Sequence, residues 1–223
     1  MTAKRIVALL GHPSEKSFNA ALLETYVDAA ASAGAEIRVH HAGAMQFDPV
    51  LRVGYAEVQP LEPDLVTLQR DIEWCDHFVV FAPLWWGSVP AGLKGIFDRA
   101  FLPGWGFRFE EGKSLPTQLL KGRTARLVLT MDSPKWWYWL NFRGAAHGAV
   151  VQGTLKFVGF DTSTTLLAKV GSISPEKRAD MLRLVARQGQ AEALSTPSEK
   201  LRRLHARSQE LRADRTLGSE PGT

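Results

Sequence analysis

The chain has 223 residues, 45% of them hydrophobic and 22% charged, which is enough apolar material for one sizeable core and too much for a mainly disordered chain. Its 27 basic and 23 acidic residues give a formal net charge of +4, but the basic run near the C-terminus (Lys200, Arg202, Arg203, Arg207, Arg212, Arg215) is interrupted by acids and reads as a solvated helix, so no nucleic-acid partner is expected. A single cysteine, Cys75, excludes an intramolecular disulfide, and the apolar run Ile6–Leu10 is too short for a signal-peptide core or a membrane span; a cytoplasmic protein without membrane insertion is expected, with no metal site.

In chain order, Ile6–Leu10 is a continuous apolar run closed by Gly11 and Pro13, the pattern of a buried parallel strand. Leu22, Leu23, Tyr26, Val27 and Ala30 then share one helical face, with Ser17 as N-cap and Gly34 as the stop, and Glu36–His40 is a short second strand. Residues 42–63 carry Pro49, Pro60 and Pro63 and read as a surface connection before a helix at Asp64–Trp74. His77–Ala82 is a third buried strand broken by Pro83, and Ala91–Phe101 a helix. Arg126–Met131 is the fourth strand, Gly148–Phe157 a helix closed by Gly159, and Thr162–Ala168 the fifth strand. Ser174-Pro175-Glu176 starts a last core helix that runs to about Leu194, since it combines a hydroxyl cap, a proline at the first helical position and an early carboxylate. A charged helical segment follows Pro197, and the composition of Thr216–Thr223 predicts disorder.

Five strands alternating with helices imply a doubly wound α/β domain with a parallel sheet of order 2-1-3-4-5, the flavodoxin-like arrangement, over residues 1–196, and a C-terminal helical extension over 197–223. In such sheets ligands bind beyond the carboxyl ends of the strands, which singles out loops 11–19, 83–90 and 132–147. The first loop joins a strand to a helix N-terminus and suits an anion such as phosphate, although it is neither a Walker loop nor a GxGxxG turn. The second, Pro83-Leu84-Trp85-Trp86-Gly87-Ser88-Val89-Pro90, puts two indoles and a glycine at a strand end, where flat faces and backbone polar groups could line a cofactor pocket.

Gly11–Asn19, with its His-x4-Ser-Phe-Asn pattern, and Phe81–Lys94 resemble the two cofactor loops of the NAD(P)H:quinone oxidoreductase (DT-diaphorase-like) family, and Asp98, Arg99 and 104–107 continue the likeness. The resemblance implies that His12, Ser17, Phe18 and Asn19 contact the phosphates and ribityl chain of a flavin, FAD with FMN as the alternative, and that Pro83, Leu84, Trp85, Trp86 and Gly87 line its ring. Gln69 matches a further family position on the cofactor. The third loop, Thr130-Met131-Asp132-Ser133-Pro134, departs from the family's Thr-Thr-Gly-Gly and resembles a bacterial branch with a Thr-Met-Asp-Thr/Ser-Pro signature. Tyr138 falls at the family's active-site tyrosine and His147 near its histidine partner, and both are implied to assist catalysis.

The implied activity is two-electron, ping-pong hydride transfer from NAD(P)H through flavin to a quinone-like acceptor. The same pocket could serve an azo or nitro reductase, and the same fold a regulatory subunit of an ion transporter. Aromatic residues at 85–86, 105–109 and 136–139 further suggest a homodimer with its site near the interface, Trp136, Trp137 and Trp139 forming an aromatic wall or a dimer contact.

Overall fold

The computed structural model describes residues 3–196 and 199–213, and the reading made for 216–223 lies outside them. Five parallel strands, β1 (Arg5–Leu10), β2 (Glu36–His41), β3 (His77–Pro83), β6 (Thr124–Met131) and β7 (Asp161–Ala168), form one sheet in the order β2-β1-β3-β6-β7. This is the expected 2-1-3-4-5 arrangement; the numbering gap holds a two-stranded antiparallel hairpin, β4 (Phe107–Arg108) and β5 (Thr117–Gln118).

The strand side chains alternate between two cores. Val7 and Leu9 of β1, with Phe78, Val80 and Ala82 of β3, face α2 (Pro63–Trp74), α3 (Ala91–Ala100) and the segment from 145 to 158. Ile6, Ala8 and Leu10, with Val79 and Phe81, face α1 (Phe18–Ser32) and α6 (Pro175–Leu194). Both faces of the central strands are therefore dry, which explains why these runs are apolar without interruption. Each fully buried Leu, Ile or Phe contributes about 1.5–3 kcal/mol before entropy is counted.

Ser17 caps α1 by accepting the Ala20 N–H at 3.2 Å, and Ser174 caps α6 behind Pro175 by accepting that of Lys177 at 3.4 Å. At its far end α6 is tied to the sheet by Glu192, which accepts from Arg126 Nε at 2.6 Å and from the Tyr26 hydroxyl and lies 3.0 Å from His77 Nε2. Burial raises the Glu192 carboxyl, but the His77 ring first, then the charge of Arg126 and the Tyr26 hydroxyl, outweigh it and hold the group at about 2.

Two segments differ from the expectation. The interval 132–147 is not one loop, since it contains α4 (Lys135–Phe142) and the short α5 (Ala145–His147). The helix expected at 148–157 starts three residues earlier and is π-helical over Gly148–Lys156, a geometry that often marks functional sites. The C-terminal helix α7 (Glu199–Ala213) is docked, its Ser208 hydroxyl buried and donating to the Leu119 carbonyl.

Candidate functional site

The carboxyl ends of β1, β3 and β6 bring three loops together, joined by hydrogen bonds between their bases. Gly11 N–H donates to the Phe81 carbonyl at 2.7 Å, and Leu84 N–H to the Thr130 carbonyl at 2.7 Å. In the first loop Ser14 N–H donates to His12 Nδ1 at 2.9 Å, and the His12 ring meets Trp85 edge-on at 5.5 Å, so loops one and two touch. Phe18 lies under the guanidinium of Arg178, 4.4 Å from the ring centroid, which places a cation beside the N-terminus of α1. Arg178 went unnoticed in the sequence; its signal is a basic residue four positions after the Ser174 cap.

Asn19 and Thr130 are both buried, and Asn19 Nδ2 donates to Thr130 Oγ1 at 2.8 Å. Asn19 Oδ1 is buried without a hydrogen-bond partner among the described residues, and so is Ser133 Oγ. Buried polar atoms are normally paired, so one acceptor and one hydroxyl left open on neighbouring loops mark a place for a ligand rich in hydroxyl and amide groups. With the open N–H groups at the start of α1, that donor set fits a sugar-alcohol chain ending in phosphate.

In the second loop Trp85 and Ser88 exchange both backbone hydrogen bonds at 2.9 Å, and the two residues between them have positive φ, 52° at Trp86 and 76° at Gly87. Positive φ at both central positions defines a type I′ turn, in which a tryptophan is an unusual occupant. Gly87 is required twice over, because a Cβ there would also sit 2.7 Å from Phe142 Cδ1. Trp86 is fully exposed, its indole covered by nothing among the described residues, while Pro83 is buried and Leu84 half-buried.

In the third loop Met131 is buried, and Asp132 Oδ1 accepts the Gly171 N–H at 2.7 Å, fixing the turn after β6 against the turn after β7. The Tyr138 side chain is wholly buried, and its hydroxyl oxygen accepts the backbone N–H of His147 at 2.9 Å, so the phenol holds the start of the π-helical segment. Burial raises the Tyr138 pKa against the opposing pull of the backbone N–H groups of His147 and Ala146. The His147 ring is half-buried edge-on against Trp139 at 5.6 Å, and burial, then Lys156, lowers its pKa, favouring the neutral imidazole.

The Gln69 amide donates to the Ala100 carbonyl at 2.7 Å, at the C-terminal end of α3, and on this chain it does not join the three loops. Of the sixteen residues read as the site, His12, Ser17, Phe18, Asn19, Pro83, Leu84, Trp85, Trp86, Gly87, Thr130, Met131, Asp132 and Ser133 lie on these converging loops, and His147 follows α4.

A separate cavity of about 790 Å³ opens between α3, the π-helical segment and the β4–β5 hairpin. Tyr55, Phe97, Phe101, Phe107, Phe109 and Phe157 line it with Lys94 and Asp98 at its edge, and none of the expected site residues does. Among the described residues, no helix is long and apolar enough to cross a membrane, and no group of three or more His, Cys, Asp or Glu could hold a metal.

A family model described as flavodoxin-like fold matches residues 4–190. NAD(P)H dehydrogenase [quinone] 1 of Cavia porcellus is 29% identical over 208 residues, covering 80% of this chain and 74% of that protein. The NAD(P)H:quinone oxidoreductase of Methanothermobacter marburgensis superposes with a TM-score of 0.70 at 24% identity, over 85% of this chain and 98% of its own. An FMN-dependent NADH-azoreductase of Bacillus anthracis, solved with FMN, does so with a TM-score of 0.66 at 13% identity, over 85% and 99%. At those identities the two structures speak to the fold alone.

Proposed function

Because the chain belongs to the flavodoxin-like fold family, we propose that it is a flavin-dependent NAD(P)H oxidoreductase that reduces quinones or similarly flat acceptors. The observation that carries this reading is the pair of orphaned buried atoms, Asn19 Oδ1 and Ser133 Oγ, beside a strained turn that presents the Trp86 indole bare. The likeness to quinone oxidoreductases along most of the chain supports the same acceptor class.

Bound there, flavin supplies the redox chemistry, taking a hydride from the nicotinamide and passing two electrons to the acceptor. The protein's part is to bind, orient and dry the reactants. The first turn of α1, with Ser17 and His12 beside it and Arg178 close by, suits the phosphate end. Asn19, Thr130 and Ser133 suit the hydroxyl chain, and Pro83, Leu84, Trp85 and Gly87 suit one edge and face of the ring, with Met131 and Asp132 bracing the turn beneath. Reacting atoms must approach to roughly 3–3.5 Å, so these flat walls do most of the positioning. NAD(P)H and acceptor then use the open side of one site in alternation, which is the ping-pong order.

His147, with its neutral imidazole, is the candidate to hydrogen-bond the acceptor oxygen that gains charge, while Tyr138 fixes His147 through its backbone N–H. FAD is preferred to FMN on the His12-x4-Ser17-Phe18-Asn19 pattern. The aromatic cavity at Phe97, Phe101 and Phe109 is the face we assign to a second copy in a homodimer, and we place the protein in the cytoplasm. A panel of quinones, azo dyes and nitroaromatics tests the acceptor class under steady-state turnover with NADH and NADPH. Quinones turned over fastest support this reading, and azo or nitro compounds turned over fastest overturn its acceptor.

A further inference from the structure

Helix α4 reads Lys135-Trp136-Trp137-Tyr138-Trp139-Leu140-Asn141-Phe142, and only Tyr138 of its aromatic residues is buried. Trp136 and Leu140 are 63% and 70% exposed, Trp137 and Trp139 nearly half. Trp136, Trp139 and Leu140 stand at i, i+3 and i+4 on one side of the helix, and Arg143 caps its C-terminal end in a left-handed conformation. The patch does not end with the helix. Phe142 is packed against Gly87, which joins the C-terminal end of α4 to the second loop of the proposed active site, next in sequence to the exposed Trp86.

Apolar surface of this extent is ordinarily covered by something. Its chemistry selects the occupant. Tryptophan is the residue that settles at the boundary between lipid headgroups and acyl chains, where its apolar body and N–H are both satisfied. The electrostatics agree: between Asp132 and Asp161 the chain has no Asp or Glu, whereas Lys135 and Arg143 are exposed cations at either end of α4. An aromatic face with cations at its rim complements an anionic bilayer and lies on the surface without crossing it.

We propose that α4 and Trp86 form a shallow docking face for anionic membranes, through which the enzyme draws quinones dissolved in the bilayer. The inference rests on the quinone-reductase reading for its substrate but not for its surface. The balance of the reaction is unchanged: NAD(P)H, a proton and quinone give NAD(P)+ and quinol, and docking alters only where the quinone comes from. The aromatic cavity at α3 remains available to a second copy, being lined by other residues.

Flotation of the purified holoprotein with phosphatidylcholine vesicles, with and without phosphatidylglycerol, tests the surface, together with the blue shift of tryptophan emission. Wild type is expected to float with the anionic vesicles, to release at high salt, and to reduce a long-chain isoprenoid quinone held in them. Trp136→Ser with Leu140→Ser is expected to lose at least tenfold in vesicle affinity and in turnover of the vesicle-held quinone, while turnover of a short water-soluble quinone stays within twofold. Lys135→Gln, a milder change, is expected to weaken only the anionic preference. Wild type that ignores vesicles yet reduces the soluble quinone overturns the docking face and leaves the reductase reading intact. Vesicle binding lost in Trp136→Ser with Leu140→Ser, but with no quinone reduced by wild type, upholds the surface and removes the reductase reading. A shift from dimer to monomer in that double variant, seen by light scattering without vesicles, assigns the patch to a second copy and overturns the proposal.

Discussion

Asn19 and Thr130 stand 111 residues apart in the chain and meet at the carboxyl ends of β1 and β6, where Asn19 Nδ2 donates to Thr130 Oγ1 at 2.8 Å. That bond fixes the amide and leaves Asn19 Oδ1 without a partner among the described residues. Thr130→Val removes the acceptor and frees the amide to rotate. The cost of an unsatisfied buried group, about 1–2 kcal/mol, corresponds to a flavin Kd weaker by roughly five- to thirtyfold. Titration of flavin fluorescence into apoprotein measures it, and an unchanged Kd with intact fold removes this pair from the site.

Gly87→Ala should damage the same site from the second loop. A left-handed conformation costs a non-glycine residue roughly 1–2 kcal/mol, and the new methyl also meets Phe142. The expected outcome is a flavin Kd raised by about tenfold or more, with a Tm lowered by roughly 2–8 °C. Wild-type affinity would mean that the turn can flip without consequence for the cofactor.

The sheet was legible because its strands are buried on both faces: the runs at Ile6–Leu10 and His77–Ala82 needed no tertiary information. Ser17 and Ser174 were equally plain, because hydroxyl caps act locally. Helix α4 was not, since it is aromatic on its exposed as well as its buried side and has no polar face to set a period. The π-helical geometry at 148–156 leaves almost no mark on residue spacing. Side-chain direction was not legible either: the Gln69 amide goes to the Ala100 carbonyl, and the Tyr138 phenol takes the His147 backbone N–H.

Tyr138 and His147 should separate in stability. Tyr138→Phe leaves the His147 N–H with one acceptor fewer, which should lower stability by about 1–3 kcal/mol and slow the acceptor half-reaction by roughly tenfold or less through a displaced His147. His147→Ala should slow the acceptor half-reaction with no comparable loss of stability. Stopped-flow absorbance and thermal melts read the two effects. Wild-type rates in both variants would leave Tyr138 a buried wall and His147 a helix-start residue.

Acid should loosen α6 before it touches the site. Glu192 is held at about 2 against an ordinary 4.5, so the folded state binds its proton more weakly than the unfolded chain does. Its contribution is therefore complete above about pH 4.5 and is lost as pH falls toward 2. Glu192→Gln, which removes the charge facing Arg126 and leaves its guanidinium the Thr165 hydroxyl, should cost about 3 kcal/mol at neutral pH and flatten the acid limb of the stability curve. Urea melts from pH 2 to 7 measure both, and an acid limb as steep as wild type would place the sensitivity elsewhere.

The most direct test of the account is the absorption spectrum of the purified protein, with the mass of whatever it releases on denaturation. The loops at 11–19, 83–90 and 130–133 should yield a yellow protein with flavin bands and about one flavin per chain, FAD by mass. FMN in its place would correct the cofactor and keep the mechanism. A colourless protein that takes up neither FAD nor FMN would contradict the central claim.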